Sequence, residues 1–160
     1  MSNLSLMLLT IIGGLLTFYS YYYAYNSGRA NQLWGGVSSE HKIYFITSSI
    51  IAGLVFLYQF YYHVFYKDKS SVLVYIGIFL ITYISATWVS LTFYGIDNPK
   101  YKFLSMIALL LVSVGSMLLV YDSVSGKVDD DNRRLIAIVT SSIFCFHVTF
   151  FDLGLSLIHI

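Results

Sequence analysis

The last apolar run of the chain contains the residues whose types could support proton chemistry. Asp152 is the only acidic side chain within such a run, and His147 lies five positions before it. A carboxylate inside a bilayer must be protonated or paired, which would mark a site that exchanges protons or binds a partner. If the helix ends at Gly154, Asp152 instead reaches the headgroups, and both interpretations stay open on the sequence. On an α-helix the two side chains are about 140° apart, which predicts no direct relay between them within one helix.

A polar stripe extends this site along the same helix. Side chains spaced alternately by four and three residues share one side of a helix, and here they are Ile138, Ser142, Cys145, Thr149, Asp152 and Ser156. Thr149 is therefore a candidate for the same pathway as Asp152. Cys145, the single cysteine of the chain, lies in the middle of the run. We expect a buried, unreactive thiol and no intramolecular disulfide.

Polar and aromatic residues of the other runs complete the candidate set. Gln59 and His63 are one helical turn apart, and we expect them to share a hydrogen-bonded partner. Trp88 lies among several hydroxyl side chains, and Trp34 lies in the loop after the first run, at a position suited to the headgroup level. The candidates for a ligand or proton pathway are Asp152, His147, Thr149, Gln59, His63, Trp88 and Trp34.

The sequence carries no signature of catalysis or of a known cofactor. It has no G-x-S-x-G, no HExxH, no phosphate-binding glycine loop and no cysteine pair. His63 and His147 fall at different depths, which disfavours a shared haem. The acidic triplet 129–131 could hold Ca²⁺, but a solvated helix start is the better interpretation. We predict no catalytic residue and no metal site, and the sequence indicates no particular cofactor.

Apolar runs of membrane-spanning length must position these residues. The chain is 58% hydrophobic and 11% charged, with one proline, which is more apolar than a typical soluble domain. The charges cluster and leave five runs of the roughly 20 residues that a spanning helix needs, at 4–25, 43–66, 72–94, 103–121 and 135–158. We predict an all-α, polytopic integral membrane protein: a single bundle of five transmembrane helices with short loops.

Loop lengths and charges give further expectations. The short turn 67–70 predicts that the second and third spans are antiparallel neighbours. Five spans put the termini on opposite sides, with five basic residues on the N-terminal side against four on the other. This small excess favours a cytosolic N-terminus. The net charge of +1 gives no footprint for nucleic acid. The expected partners are the lipid bilayer and either an apolar ligand or another membrane protein.

The outline of the chain is similar to the layout of the translocator (tryptophan-rich sensory) family. The shared features are five spans in about 160 residues and the longest loop after the first span. That family binds porphyrins or sterols within the bundle, and the resemblance implies the same kind of ligand here. The Trp- and Pro-rich signature of the family is missing, since this chain has only Trp34 and Trp88. No site residue is therefore transferred.

Three functions remain open on the sequence. The first is a non-enzymatic bundle, either binding an apolar or amphipathic small molecule between its helices or serving as an accessory subunit of a membrane complex. The second is a small proton-coupled transporter or channel that uses Asp152, Gln59 and His63. The third is a membrane-embedded enzyme without a recognisable motif. The sequence ranks the non-enzymatic bundle first and transport second.

Overall fold

The computed structural model describes residues 3–28, 33, 37–67, 70–96, 98–125 and 131–153. Within these residues the elements are helical, and five helices are long and apolar enough to cross a membrane: Asn3–Asn26, Glu40–Tyr66, Val72–Gly95, Pro99–Ser125 and Asp131–Leu153. We call them the first to fifth spans. The predicted all-α bundle is confirmed, and the chain is a multi-pass membrane protein.

The ends of the spans agree with the apolar runs except at the fourth and fifth. The fourth span begins at Pro99, whose fixed φ and missing N–H suit the first helical position. It continues to Ser125 and so includes Asp122, which the apolar run excluded. The fifth span begins at Asp131 and is described to Leu153, so the predicted stripe residue Ser156 and the predicted end at 158 lie outside the described residues.

The third and fourth spans form the centre of the bundle. In each, 44% of the residues in the most apolar stretch are buried, against 17% in the first span and 11% in the second. Gly77 and Gly115 allow these two helices to approach closely, because a Cβ at Gly77 would lie 2.9 Å from the Gly115 carbonyl oxygen. Small residues are the usual means of close helix packing in membranes.

The outer spans pack around this centre. The first span lies against the third, the second against the fifth, and the fifth against the fourth. The prediction that the second and third spans are packed neighbours is wrong, because neither lies along the other despite their short connection. The first span meets the second mainly around Tyr62–Tyr66, so the two lie apart toward Asn26.

Three of the spans contain a π-helical segment. The segments are Tyr62–Tyr66, Leu80–Ile84 and His147–Leu153. In a π-helix the hydrogen bond runs between residues five apart, which realigns side chains that an α-helix would separate. Two of the three segments contain a histidine that the sequence put forward, His63 and His147. The third contains Thr82, which packs against Gly13 of the first span.

Candidate functional site

His147 and Asp152 come together at the π-helical end of the fifth span. His147 Nε2 lies 3.5 Å from Asp152 Oδ1. The prediction of no direct contact within this helix is therefore wrong. It assumed 100° per residue, whereas the segment His147–Leu153 is π-helical and brings residues five apart onto one side.

A serine of the second span completes this arrangement. Ser48 Oγ lies 2.7 Å from His147 Nδ1. When the imidazole proton is on Nε2, the Ser48 hydroxyl donates to Nδ1 and the Nε2–H faces the Asp152 carboxylate. Ser48, His147 and Asp152 thus form a short chain of groups able to pass a proton between the second and fifth spans. We call these three residues the Asp152 site.

The same three residue types form hydrolytic triads, but the Asp152 site lacks what a hydrolase requires. Serine bonds Nδ1 and the acid faces Nε2, the reverse of the order in the serine-protease triad. Ser48 also lies inside the helix Ser39–Tyr61, where neighbouring backbone N–H groups are engaged in the helix and cannot form an oxyanion hole. The geometry favours proton exchange over acyl transfer.

Aromatic rings surround the Asp152 site. The Phe151 ring stacks on His147 with centroids 5.7 Å apart and meets Phe45 edge to face at 5.5 Å. Leu153, which follows Asp152 in the chain, packs against the apolar cluster that contains Trp88. The Tyr21 ring lies 6.3 Å from that of Trp88, which is buried. The His147 side chain is 8% exposed and that of Asp152 is 26% exposed, so the carboxylate reaches the surface of the bundle.

Thr149 belongs to a different contact. Its hydroxyl lies 2.7 Å from that of Ser113 in the fourth span. It also lies 3.9 Å from the sulfur of Cys145. Thr149 therefore joins the fourth and fifth spans, and the structure does not bring it to His147. Cys145 is half-buried rather than fully buried.

A second histidine and aspartate meet at the opposite end of the bundle, and sequence reasoning missed this pair. Asp122 in the fourth span is 5% exposed at its side chain, and its Oδ2 lies 2.5 Å from Lys67 Nζ. Its Oδ1 accepts a hydrogen bond of 2.6 Å from Ser71. His63 Nδ1 lies 3.6 Å from Asp122 Oδ2. We call these four residues the Asp122 cluster.

Further hydrogen bonds hold the Asp122 cluster in place. The Ser70 hydroxyl donates to the backbone carbonyl of His63, and the Asn3 side chain donates to that of Lys67. His63 itself is fully buried, and neither of its ring nitrogens has a hydrogen-bond partner. A signal for this cluster was present in the sequence: Asp122 directly follows the fourth apolar run, and one further helical turn carries it into the bundle.

Gln59 and His63 do not share a partner, contrary to the prediction. The Gln59 amide donates to the carbonyl of Ala137 at 2.7 Å and to the hydroxyl of Thr140 at 2.5 Å. Both acceptors belong to the fifth span, whereas His63 faces Asp122 of the fourth. Successive turns of the second span contact two different helices, whereas the prediction required one helix to face both residues.

An apolar layer separates Gln59 from the Asp152 site. Ser48 and Gln59 are eleven residues apart, or about 16 Å along the helix axis. Between them lie Ala52 and Phe56, and the Phe56 ring packs on Phe144 of the fifth span with centroids 5.3 Å apart. Ala52 and Phe144 are buried in the main apolar core. Along this face of the second span, the described side chains therefore form no continuous polar path from Ser48 to Gln59.

Of the remaining candidates, Trp88 lies in the core and Trp34 lies outside the described residues. The Trp88 ring packs with Ala24, Val89 and Phe93 in a second apolar cluster, and its indole Nε1 is buried without a hydrogen-bond partner. No protein-family model, curated protein or solved structure matches this chain.

Proposed function

We propose that this protein is a small proton-coupled carrier in which Asp152 binds the transported proton. The observation that carries the proposal is the contact of Asp152 with His147 and, through it, with Ser48. Ionisable side chains within membrane spans are costly, and they are characteristic of proton relays in pumps and transporters. Here they are partnered in a chain that connects two different helices.

The apolar layer supports a carrier rather than an open channel. A channel needs a continuous row of water or polar groups, and Ala52, Phe56 and Phe144 interrupt it between Ser48 and Gln59. A proton on Asp152 can cross this layer only when the helices rearrange. Only 17% and 11% of the apolar stretches of the first and second spans are buried, so few packed side chains oppose such a rearrangement.

A pH-jump experiment tests the proposal without knowledge of the substrate. The purified protein is reconstituted into liposomes on a solid-supported membrane electrode, and the external pH is changed rapidly. A carrier should give a transient current from proton binding and reorientation, which decays because no substrate completes the cycle. A sustained current would contradict the carrier in favour of a channel, and the absence of any current would overturn the proposal.

Substitutions assign the current to Asp152. Asp152→Asn should abolish the transient current and Asp152→Glu should retain it, since only the second can be protonated and deprotonated. Asp131→Asn is the matched control, because it removes an exposed carboxylate from the start of the same span. Equal currents in the Asn and Glu variants of residue 152 would exclude Asp152 as the proton-binding group.

A second candidate is an accessory subunit of a membrane complex. The low burial of the first and second spans supports it, because another membrane protein could cover their exposed faces. Purification from native membranes in mild detergent, followed by mass spectrometry, separates the two candidates. Stoichiometric protein partners would support the subunit, and a lone bundle would support the carrier.

We also propose that the N-terminus is cytosolic, on the basis of the five basic residues on its side against four on the other. In a Cys145→Ser background, a cysteine at Ser2 should resist a membrane-impermeant maleimide in intact cells. A cysteine at Gly28, exposed beyond the other end of the first span, should react. The reverse pattern would invert the orientation.

A further inference from the structure

The surroundings of Asp152 contain more aromatic surface than a proton site requires. Phe151 stacks on His147 and Phe45 packs on Phe151. Leu153, next to Asp152, packs on the cluster that contains Trp88, whose ring lies 6.3 Å from that of Tyr21. The Trp88 indole N–H is buried in this region without an acceptor. A carboxylate in a neighbourhood of aromatic rings is suited to recognise a positively charged organic group.

The arrangement of the first and second spans opens this site toward the bilayer. The two helices meet mainly around Tyr62–Tyr66 and lie apart at the end that contains Tyr21 and Ser48. Tyr21 is 41% exposed and the Asp152 side chain 26% exposed, so both can be reached from outside the bundle. A ligand that arrives by this route must itself partition into the membrane.

We propose that the substrate of the carrier is a lipophilic organic cation, which enters from the bilayer between the first and second spans and pairs with Asp152. This inference rests on the proposed function and names its substrate class. The exposed aromatic ring of Tyr21 attracts the cation, and the buried ring of Trp88 lies 6.3 Å behind it. The carboxylate of Asp152 repels an anion and gives a neutral molecule no advantage.

The exchange of a proton for the cation balances in charge. Asp152 releases one proton to solvent when it pairs with a singly charged cation, so the site carries no net charge in either state. Among the described residues, the titratable groups near Asp152 are His147 on its own helix and Tyr21 on the first span. Neither has to ionise for the exchange. The proton and the cation therefore compete for one carboxylate.

Binding can be measured through the fluorescence of Trp88. The chain has two tryptophans, so a Trp34→Phe variant leaves Trp88 as the only emitter. Titration of this variant with tetraphenylphosphonium should change its emission and saturate. Asp152→Asn in the same background should weaken binding by about tenfold or more, the loss expected when a charge-assisted contact is removed. The anion tetraphenylborate is the matched probe and should not bind.

Proton release is the second readout. Addition of tetraphenylphosphonium to the protein in weakly buffered detergent solution should release about one proton per bound cation, detected with a pH indicator. Asp152→Asn should release none, whereas Asp131→Asn should behave as the unmodified protein. Release that persists in Asp152→Asn would overturn the inference, because the proton would then come from another group.

The outcomes of these experiments distinguish the substrate class from the proton-coupled carrier function on which it rests. A pH-jump current that depends on Asp152, without tetraphenylphosphonium binding, would overturn the substrate class and leave the proton-coupled carrier standing. Binding that depends on Asp152 but releases no proton, with no pH-jump current, would leave a cation-binding bundle and overturn the carrier. Equal binding of tetraphenylphosphonium and tetraphenylborate would reveal partition into the apolar surface and contradict the site.

Discussion

The Asp122 cluster and the Asp152 site each contain a histidine–aspartate pair, but the two pairs differ in their surroundings. In each, a histidine in a π-helical segment faces an aspartate. Asp122 is 5% exposed and is occupied by Lys67 and Ser71. Asp152 is 26% exposed, and its partner is an imidazole at 3.5 Å. We therefore expect the neighbours of a histidine–aspartate pair, rather than the pair itself, to decide whether its carboxylate can exchange a proton.

The physical reason is the charge of the partner. Lys67 holds Asp122 in a buried ion pair, which is unfavourable to break because each charge would then be left unpaired. A neutral histidine exerts no such hold on Asp152. The Asp122 cluster is therefore expected to stabilise the N-terminal side of the bundle, and the Asp152 site is expected to change its protonation during function.

Removal of the Asp122 carboxylate tests this contrast with the largest expected effect. Asp122→Asn should lower the free energy of unfolding by about 3 kcal/mol, because it leaves Lys67 poorly solvated and without its counter-charge. Asp152→Asn should lower it by less than about 1 kcal/mol, since that side chain is partly exposed and makes a long contact. The measurement is SDS titration in mixed micelles; equal losses in the two variants would remove the distinction.

A double substitution provides the control for charge. Lys67→Met combined with Asp122→Leu replaces the buried ion pair with apolar side chains and should recover most of the lost stability. Recovery would identify the unpaired lysine as the cause of the loss in Asp122→Asn. If the double variant were as unstable as the single one, the hydrogen bond from Ser71 would instead account for the loss.

The π-helical segment Leu80–Ile84 tests how closely the first span packs on the centre of the bundle. A Cβ at Gly13 would collide with the Thr82 side chain in this segment, whereas a Cβ at Gly14 meets nothing within 4 Å. Gly13→Ala should lower the free energy of unfolding by about 2 kcal/mol through overpacking. Gly14→Ala is the matched control and should be neutral or slightly stabilising. Equal effects of the two substitutions would contradict the observed packing of Gly13, rather than Gly14, against the third span.

The hydrogen bond between Ser48 and His147 provides a further test of the Asp152 site. Ser48→Ala removes the partner of His147 Nδ1 and should lower the free energy of unfolding by about 1 kcal/mol. It should also slow the pH-jump current by roughly fivefold, since the imidazole loses the contact that orients it. Ser49→Ala, one position along the same helix, should leave the current unchanged. A current unaffected by Ser48→Ala would remove Ser48 from the relay.

The smallest effect is expected at Gln59, between the two regions. Gln59→Leu should change the free energy of unfolding by less than about 1 kcal/mol. Its acceptors keep other partners, because the Ala137 carbonyl also accepts from Ser141 and the Thr140 hydroxyl donates to Ile136. The pH-jump current should be unchanged. A lost current would show that Gln59 takes part in proton transfer. It would contradict the separation of Gln59 from the Asp152 site by the apolar layer.

The candidate site was only partly predictable from the sequence. Asp152, His147 and His63 were identified because ionisable groups in apolar runs are costly, a property of composition alone. Their partners were not identified. Asp122 fell outside the apolar run by one residue, and Ser48 looked like any other hydroxyl in a span. The contact of His147 with Asp152 was rejected because a regular α-helix was assumed, and local periodicity carries no sign of the π-helical segment.

The five apolar helices follow from the sequence alone, because each run is long enough to span a bilayer and backbone groups in hydrocarbon must bond internally. Which helices pack together follows only from the folded bundle, since the order of the spans depends on close approaches such as that of Gly77 to Gly115. The partner of each aspartate also depends on the fold. Lys67 reaches Asp122 from the end of another helix, and a π-helical turn brings His147 to Asp152. Neither the packing across the bundle nor the π-helical turn can be recognised from the spacing of residues in the chain.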